Sequence, residues 1–143
     1  CRDTVYGGVG MSRYGLWGRW DVEIRSQWKD VDGNVIGPIA GFADIRQTYS
    51  GLFLRVQTEA SFGDLQACDL KVEPDGRFRI YGVYQNTPSL GERHASQIHR
   101  GAFVLEVEGD SGSPSMLRGE YWTDRATSGE LLLTNRQPSP STQ

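Results

Sequence analysis

The sequence predicts an all-β fold, a single eight-stranded antiparallel barrel of the up-and-down type. Apolar and polar residues alternate with a period of two in many short stretches separated by turn residues, and no stripe of helical period persists. The chain has 143 residues, the usual size of one domain, and its 18 glycines are spread among aromatic and β-branched runs. Strands joined by short hairpins can close on themselves, which removes both edges of the sheet.

Each predicted strand is a stretch of alternation bounded by turn residues, such as Asp32-Gly33-Asn34 and Pro74-Asp75-Gly76. We expect a linker at 1–13, the barrel at 14–136 and a disordered tail of Ser, Pro, Thr and Gln at 137–143. The predicted strands are 16–28, 39–49, 52–59, 62–72, 77–86, 99–108, 116–123 and 127–135.

Alternation also assigns the inner face, because successive side chains of a strand point to opposite sides of the sheet. In the first strand, Trp20, Val22 and Ile24 alternate with charged residues and are predicted to face inward. The second and fourth strands are ambiguous. The other predicted inward positions are Ser26, Trp28, Leu52, Leu54, Val56, Thr58, Phe78, Ile80, Gly82, Tyr84, Asn86, His99, Gly101, Phe103, Leu105, Val107, Leu117, Gly119, Tyr121, Thr123, Thr127, Gly129, Leu131 and Leu133.

One end of the barrel is predicted to be closed by Trp20. Gly18-Arg19-Trp20 has the G-x-W pattern that recurs in lipocalin-like barrels, where the Trp plugs the closed end and an Arg of the last strand covers it. Arg136 stands at the position of that Arg. We therefore interpret Trp20 as a structural plug in preference to a ligand contact.

The opposite end is predicted to be an open mouth. If Trp20 lies at the closed end, odd strands run toward the mouth and even strands run away from it. The floor is then apolar, and inward glycines at 82, 101, 119 and 129 are expected to add room. The rim of any barrel contacts solvent and is polar for that reason, so polar residues at the mouth do not by themselves indicate a ligand site. The inward positions at the mouth are Ser26, Trp28, Thr58, Tyr84, Asn86, His99, Thr123 and Thr127.

The hairpin from Tyr121 to Gly129 carries groups suited to a phosphate. Arg125 provides a bidentate guanidinium, and Thr123 and Thr127 provide hydroxyl donors. Two simpler interpretations stay open. In one, Asp124-Arg125 forms only a solvated tight turn. In the other, His99 is a rim residue whose hydrogen bonds are made within the protein. The candidate ligand-binding residues are Tyr84, Asn86, His99, Thr123, Arg125 and Thr127.

Several other functions are disfavoured. The sequence has no nucleophile elbow, P-loop, Rossmann fingerprint or zinc-type Cys/His cluster, so we expect neither catalysis nor a metal. Gly109-Asp110-Ser111-Gly112 resembles the G-D-S-G of chymotrypsin-type proteases, but it is predicted to be a loop. The formal net charge of −3 gives no general attraction for DNA or RNA polymers. No apolar run approaches the roughly 20 residues that cross a bilayer.

Four segments carry a resemblance to a known family. The chain resembles the β-barrel of the two-transmembrane barrel effectors of bacterial anti-phage systems that signal through cyclic oligonucleotides (CBASS), over roughly 16–136. The longest matching segment is the most specific of the four. The segments are Leu16 to Trp20, Ile80 to Pro88, His99 to Phe103, and Leu117 to Leu131.

The resemblance implies a ligand and a location. In that family a cyclic dinucleotide, and no other cofactor, binds a barrel on the cytosolic face of the inner membrane. Two membrane helices precede the barrel, and ligand binding drives homo-oligomerisation that breaches the membrane. In related systems the ligand instead represses the effector, and the sequence does not decide between the two. The chain starts at Cys1, so we expect it to be a fragment of a longer protein.

Two other functions remain as alternatives. A lipocalin-like carrier of an apolar molecule is compatible with the fold but less so with a polar mouth. A protein-interaction barrel would bind no small molecule. With a single guanidinium predicted at the mouth, we expect a dinucleotide to be preferred over a trinucleotide that carries a third charge.

Overall fold

The protein is a closed antiparallel barrel in which every strand pairs with the next and the first strand also pairs with the last. The computed structural model describes residues 15–26, 32–33, 37–47, 52–90, 98–110 and 113–138. This architecture confirms the predicted all-β up-and-down barrel. The strands are β1 (Gly18–Ser26), β2 (Ile39–Gln47), β3 (Leu52–Thr58), β4 (Ser61–Val72), β5 (Phe78–Pro88), β6 (His99–Asp110), β7 (Ser113–Thr123) and β8 (Ser128–Gln137).

The core fills the half of the barrel nearest its closed end. Its members come from every strand and follow the two-residue alternation of each strand. Burial of a single Leu or Ile side chain is worth about 1.5–3 kcal/mol, so this layer dominates the stability of the fold. The buried apolar residues are Leu16, Trp20, Val22, Ala43, Ile45, Leu52, Leu54, Leu70, Phe78, Ile80, Phe103, Leu105, Leu117, Leu131 and Leu133.

Strand β4 changes its inner face partway along. The register with β5 shifts between Leu65 and Ala67, which inserts one extra residue into β4. Before this bulge Gly63 and Leu65 line the interior, whereas beyond it Leu70 is fully buried. An extra residue reverses the parity of all later side chains, and this is why simple alternation left the strand unassigned.

Two outward phenylalanines explain the ambiguity of strand β2 and of the start of β4. The Arg19 guanidinium lies 4.1 Å from the ring centroid of Phe42, and that of Arg55 lies 4.6 Å from the ring of Phe62. Each guanidinium is also held by a bidentate ion pair with a cross-strand carboxylate, Asp44 or Asp64. Apolar residues thus occupy both faces of these strands, with the outer ones covered by arginine.

Trp20 closes one end, as predicted. Its side chain is 0% exposed, and its indole Nε1 donates a hydrogen bond to the backbone carbonyl of Leu16 at 2.9 Å. The predicted role of Arg136 needs a correction. Its guanidinium lies 4.9 Å from the ring centroid of Trp17 and donates to the Trp17 carbonyl at 2.7 Å. The aromatic ring that this arginine covers is therefore the half-exposed Trp17, three residues before the buried plug.

Some strands extend further than predicted. Strands β6 and β7 together reach Asp110 and Ser113, so most of the segment predicted as a loop around Gly109 is strand. Gly109 has a φ of +98° beside a register shift, which places a bulge there. Strand β8 ends at Gln137, one residue into the predicted tail. The predicted linker at 1–13 and residues 139–143 of the predicted disordered tail lie outside the described residues, and both stay predictions. Among the residues described, no helix is long and apolar enough to cross a membrane.

Candidate functional site

The barrel contains a cavity of about 960 Å³ at the end opposite Trp20. All six candidate ligand-binding residues line it, together with the predicted mouth residues Ser26 and Thr58. Trp28 lies outside the described residues. The structure thus brings the predicted constellation together, while its role in binding stays a prediction. The six residues are Tyr84, Asn86, His99, Thr123, Arg125 and Thr127.

The wall of the cavity changes in character with depth. Its deep part is lined by Leu54, Leu105 and Leu133, which belong to the buried core. Its rim carries hydroxyl, amide, imidazole and charged groups from the ends of the strands. The predicted gradient from an apolar floor to a hydrogen-bonding mouth is therefore present. Such a cavity buries flat apolar surfaces deeply and leaves polar groups of a ligand at the rim.

Charge at the rim is nearly balanced. Among the lining residues that the structure describes, Arg125 is the cationic one and Glu59 the anionic one, with His99 as a titratable neighbour. Arg125 and Glu59 lie in exposed turns, between β7 and β8 and between β3 and β4 respectively, whereas only 9% of His99 is exposed. An anionic ligand would therefore meet one guanidinium and one carboxylate at the entrance.

The turn that carries Arg125 is organised by Thr123. The Thr123 Oγ1 accepts hydrogen bonds from the amides of Arg125 and Thr127, both at 3.3 Å, and contacts the Thr127 hydroxyl. The backbone of Thr123 also pairs with that of Thr127, and Ala126 takes a φ of +59° to complete the turn. Much of the hydrogen-bonding capacity of these hydroxyls is thus used inside the turn. The geometry favours a positioning role for the two threonines within this turn.

Tyr84 contributes an aromatic ring to the wall of the cavity. Its ring lies over Gly101, the residue directly opposite on β6, because a Cβ at that glycine would meet the Tyr84 hydroxyl at 2.5 Å. The ring is tilted by 33° against Phe103, with 6.2 Å between centroids. Burial, and then the nearby Tyr121 and Asp124, raise the pKa of Tyr84 to about 12. The phenol is therefore a neutral hydrogen-bond donor throughout the physiological range.

The expectation that glycines at 82, 101, 119 and 129 add room was wrong. A Cβ at Gly82 would lie 2.4 Å from the Phe103 ring, and one at Gly129 would lie 2.8 Å from the Tyr121 hydroxyl. At Gly119 it would lie 1.7 Å from a backbone oxygen of Val104. The space above these glycines is filled by cross-strand rings and by backbone. At Gly82 and Gly101 the absence of a side chain lets the rings of Phe103 and Tyr84 approach the neighbouring strand closely.

Sequence reasoning missed the contribution of the β3–β4 hairpin. Glu59, Ser61 and Gly63 line the cavity but were not assigned to it. Thr58 Oγ1 and the Ser61 Oγ lie 3.4 Å apart and close this hairpin at the rim. The usable signal was the alternation of Ser61, Gly63 and Leu65, which was hidden because the bulge breaks the pattern before the apolar Leu70.

Comparison with known proteins identifies a family and a similar fold. The family model described as "Cap15, cyclic dinucleotide receptor domain" matches residues 15–135. Among solved structures, a redesigned β-barrel has a TM-score of 0.59 and 16% sequence identity, covering 90% of this chain and 100% of its own. At that identity the likeness concerns the fold alone. No curated protein matches the sequence.

Proposed function

Since this chain belongs to the family of Cap15 cyclic dinucleotide receptor domains, we propose that it is the sensor barrel of a membrane-associated anti-phage effector and that its ligand binds in the 960 Å³ cavity. The observation that carries the proposal is the cavity's combination of an Arg-bearing turn with two tyrosines, Tyr84 and Tyr121. The deep apolar wall and this polar rim suit a ligand with flat bases and a charged backbone.

The phosphates are assigned to the β7–β8 turn. The Arg125 guanidinium can form two parallel hydrogen bonds with phosphate oxygens, and Thr123 fixes the turn on which it stands. Stacking of a base on an aromatic ring is worth about 1–3 kcal/mol, so Tyr84 and Tyr121 supply the natural surfaces for two bases. In this proposal the protein binds and signals, and it catalyses no reaction.

Binding of a dinucleotide is expected to be favoured over that of a trinucleotide. The described rim has one arginine, Arg125, and one carboxylate, Glu59, so the negative charge of a third phosphate would find little positive charge to neutralise it. The test is competition calorimetry with a panel of cyclic di- and trinucleotides and with fatty acids. We expect a cyclic dinucleotide to bind most tightly, and a trinucleotide that wins by tenfold would contradict the charge argument.

A carrier of an apolar molecule is the second candidate, favoured by the leucines of the deep wall. The same panel separates the two functions, because a carrier would bind fatty acids and ignore cyclic nucleotides. Thermal-shift measurement is a convenient readout, since a ligand at 100 times its Kd adds about 2.7 kcal/mol of stability. Binding by neither class would favour a protein-interaction barrel.

We further propose that the ligand controls self-association and membrane disruption at the cytosolic face of the inner membrane. The basis is the likeness to the CBASS effectors. Protease accessibility of the full-length protein in inverted vesicles, compared with spheroplasts, decides the location. Cleavage in the inverted vesicles alone is the expected result, and cleavage in spheroplasts alone would contradict it.

A further inference from the structure

We propose that the bare backbone at Gly63 forms one wall of a subsite for a purine base, which stacks on Tyr84 and is read along its edge by Asn86. This inference rests on the proposed function, because it specifies how that cavity receives one base of a cyclic dinucleotide. It assigns a specificity-determining position to strand β4, where the sequence pattern indicated none.

The position of Gly63 is defined by its neighbours on β5. Gly63 lies directly opposite Asn86 in the β4–β5 register and faces the cavity. A Cβ built on it would lie 3.6 Å from the Tyr84 ring at Cδ2 and 3.9 Å from the Asn86 Oδ1. These are ordinary van der Waals distances. Packing would therefore tolerate a methyl group at this position. Its absence leaves the ring edge of Tyr84 and the side-chain amide of Asn86 exposed toward the cavity.

The other interior glycines do not share this property. At Gly82, Gly101 and Gly129 an added Cβ would come within 2.4 Å of a ring carbon or a backbone oxygen, so the fold itself demands glycine there. Gly63 has no such demand, and its φ is not in the left-handed region. Alanine would be more favourable in a strand than glycine. A glycine that the fold does not need, at the wall of the cavity, indicates that the space itself is used.

The chemistry of the neighbours points to a base. Tyr84 stays uncharged because burial raises its pKa to about 12, and its ring offers a π surface. Asn86 has a donor and an acceptor side by side, the arrangement that pairs with the N6 and N7 atoms of adenine. A base stacked on Tyr84 reaches toward β4, and the two-ring purine extends further than a pyrimidine. The open space at Gly63 accommodates that extra ring.

The test adds a single methyl group at position 63. Gly63→Ala is compared with wild type for binding of cyclic di-AMP and cyclic di-UMP by calorimetry, and for its melting temperature. We expect the affinity for cyclic di-AMP to fall at least tenfold, the affinity for cyclic di-UMP to change less than threefold, and the melting temperature to stay equal or rise. Gly37→Ala is the matched control, because Gly37 also has open space and lies next to the rim residue Pro38 but not in the cavity wall.

Each other outcome has a definite meaning. Unchanged cyclic di-AMP affinity, or an equal loss for both ligands, would overturn the subsite while leaving the proposed function in place. A lower melting temperature would show that Gly63 is structural and would also overturn it. Failure of wild type to bind any cyclic dinucleotide would instead refute the proposed function. As a second variant, Asn86→Leu should lower the preference for cyclic di-AMP over cyclic di-UMP at least fivefold, and an unaltered preference would contradict the edge contact.

Discussion

Removing the Trp20 indole is expected to destabilise the barrel strongly while leaving ligand binding intact. The side chain is 0% exposed and sits in the apolar layer with Leu16 and Leu133, so truncation to alanine opens a large cavity in packed surroundings. Such Trp→Ala and Phe→Ala changes cost about 3–5 kcal/mol. The lost hydrogen bond to the Leu16 carbonyl falls within this cost. For a domain of this size the melting temperature should fall by about 10–20 °C.

Urea denaturation and calorimetry together test this reasoning. Trp20 is not among the residues that line the cavity, so the Kd for a cyclic dinucleotide should be unchanged well below the melting temperature. Trp20→Phe keeps most of the packing and loses mainly the hydrogen bond, and it should cost about 1–3 kcal/mol. A Trp20→Ala protein that melts normally but loses the ligand would show that the two ends of the barrel have been assigned the wrong way round.

The remaining predictions concern the rim. Arg125→Ala should weaken cyclic-dinucleotide binding by about 1.5–3 kcal/mol through the loss of charge-assisted hydrogen bonds, whereas Arg46→Ala, with the same change in net charge outside the cavity, should leave calorimetric affinity unchanged. Glu59→Gln should strengthen binding about two- to fivefold by removing an exposed carboxylate from the entrance, and weaker binding would argue against an anionic ligand. Thr123→Val should cost about 0.5–1.5 kcal/mol of stability in urea titration, because two amides of the turn lose their acceptor. The pKa of Tyr84 is raised to about 12 from its ordinary value of 10.0, so its contribution to stability is complete below pH 10 and is lost as pH rises toward 12. Between pH 9 and pH 11 the urea midpoint of Tyr84→Phe should therefore fall less than that of wild type. An identical fall in the two proteins would show that ionisation of Tyr84 does not cause it.

Most of the fold was predictable because the inward positions of most strands follow a two-residue pattern. The register shifts beside Gly109 and between Arg19 and Asp21 lie near strand ends and leave this pattern intact along the core. The exception, β4, shows the limit of that reasoning. One inserted residue after Leu65 reverses the inner face, so Leu65 and Leu70 both point inward although their positions differ in parity. A bulge has no distinctive sequence signal when glycine or proline is absent from it, as between Leu65 and Ala67.

The candidate site was predictable to a similar degree. Strand direction alone placed Tyr84, Asn86 and His99 at the same opening, since it depends only on the location of Trp20 and on alternation. The pattern could not show which glycines leave space. Gly101 is covered by the Tyr84 ring and Gly63 is open, and this difference arises from rotamers and twist, which the sequence does not display.

A crystal structure of the barrel with a bound cyclic dinucleotide tests the central claim most directly. The proposed function predicts the ligand inside the cavity opposite Trp20, with a phosphate within hydrogen-bond distance of the Arg125 guanidinium and one base stacked on Tyr84. A ligand bound on the outer wall of the barrel, with the cavity unaltered and Arg125 away from either phosphate, would contradict it.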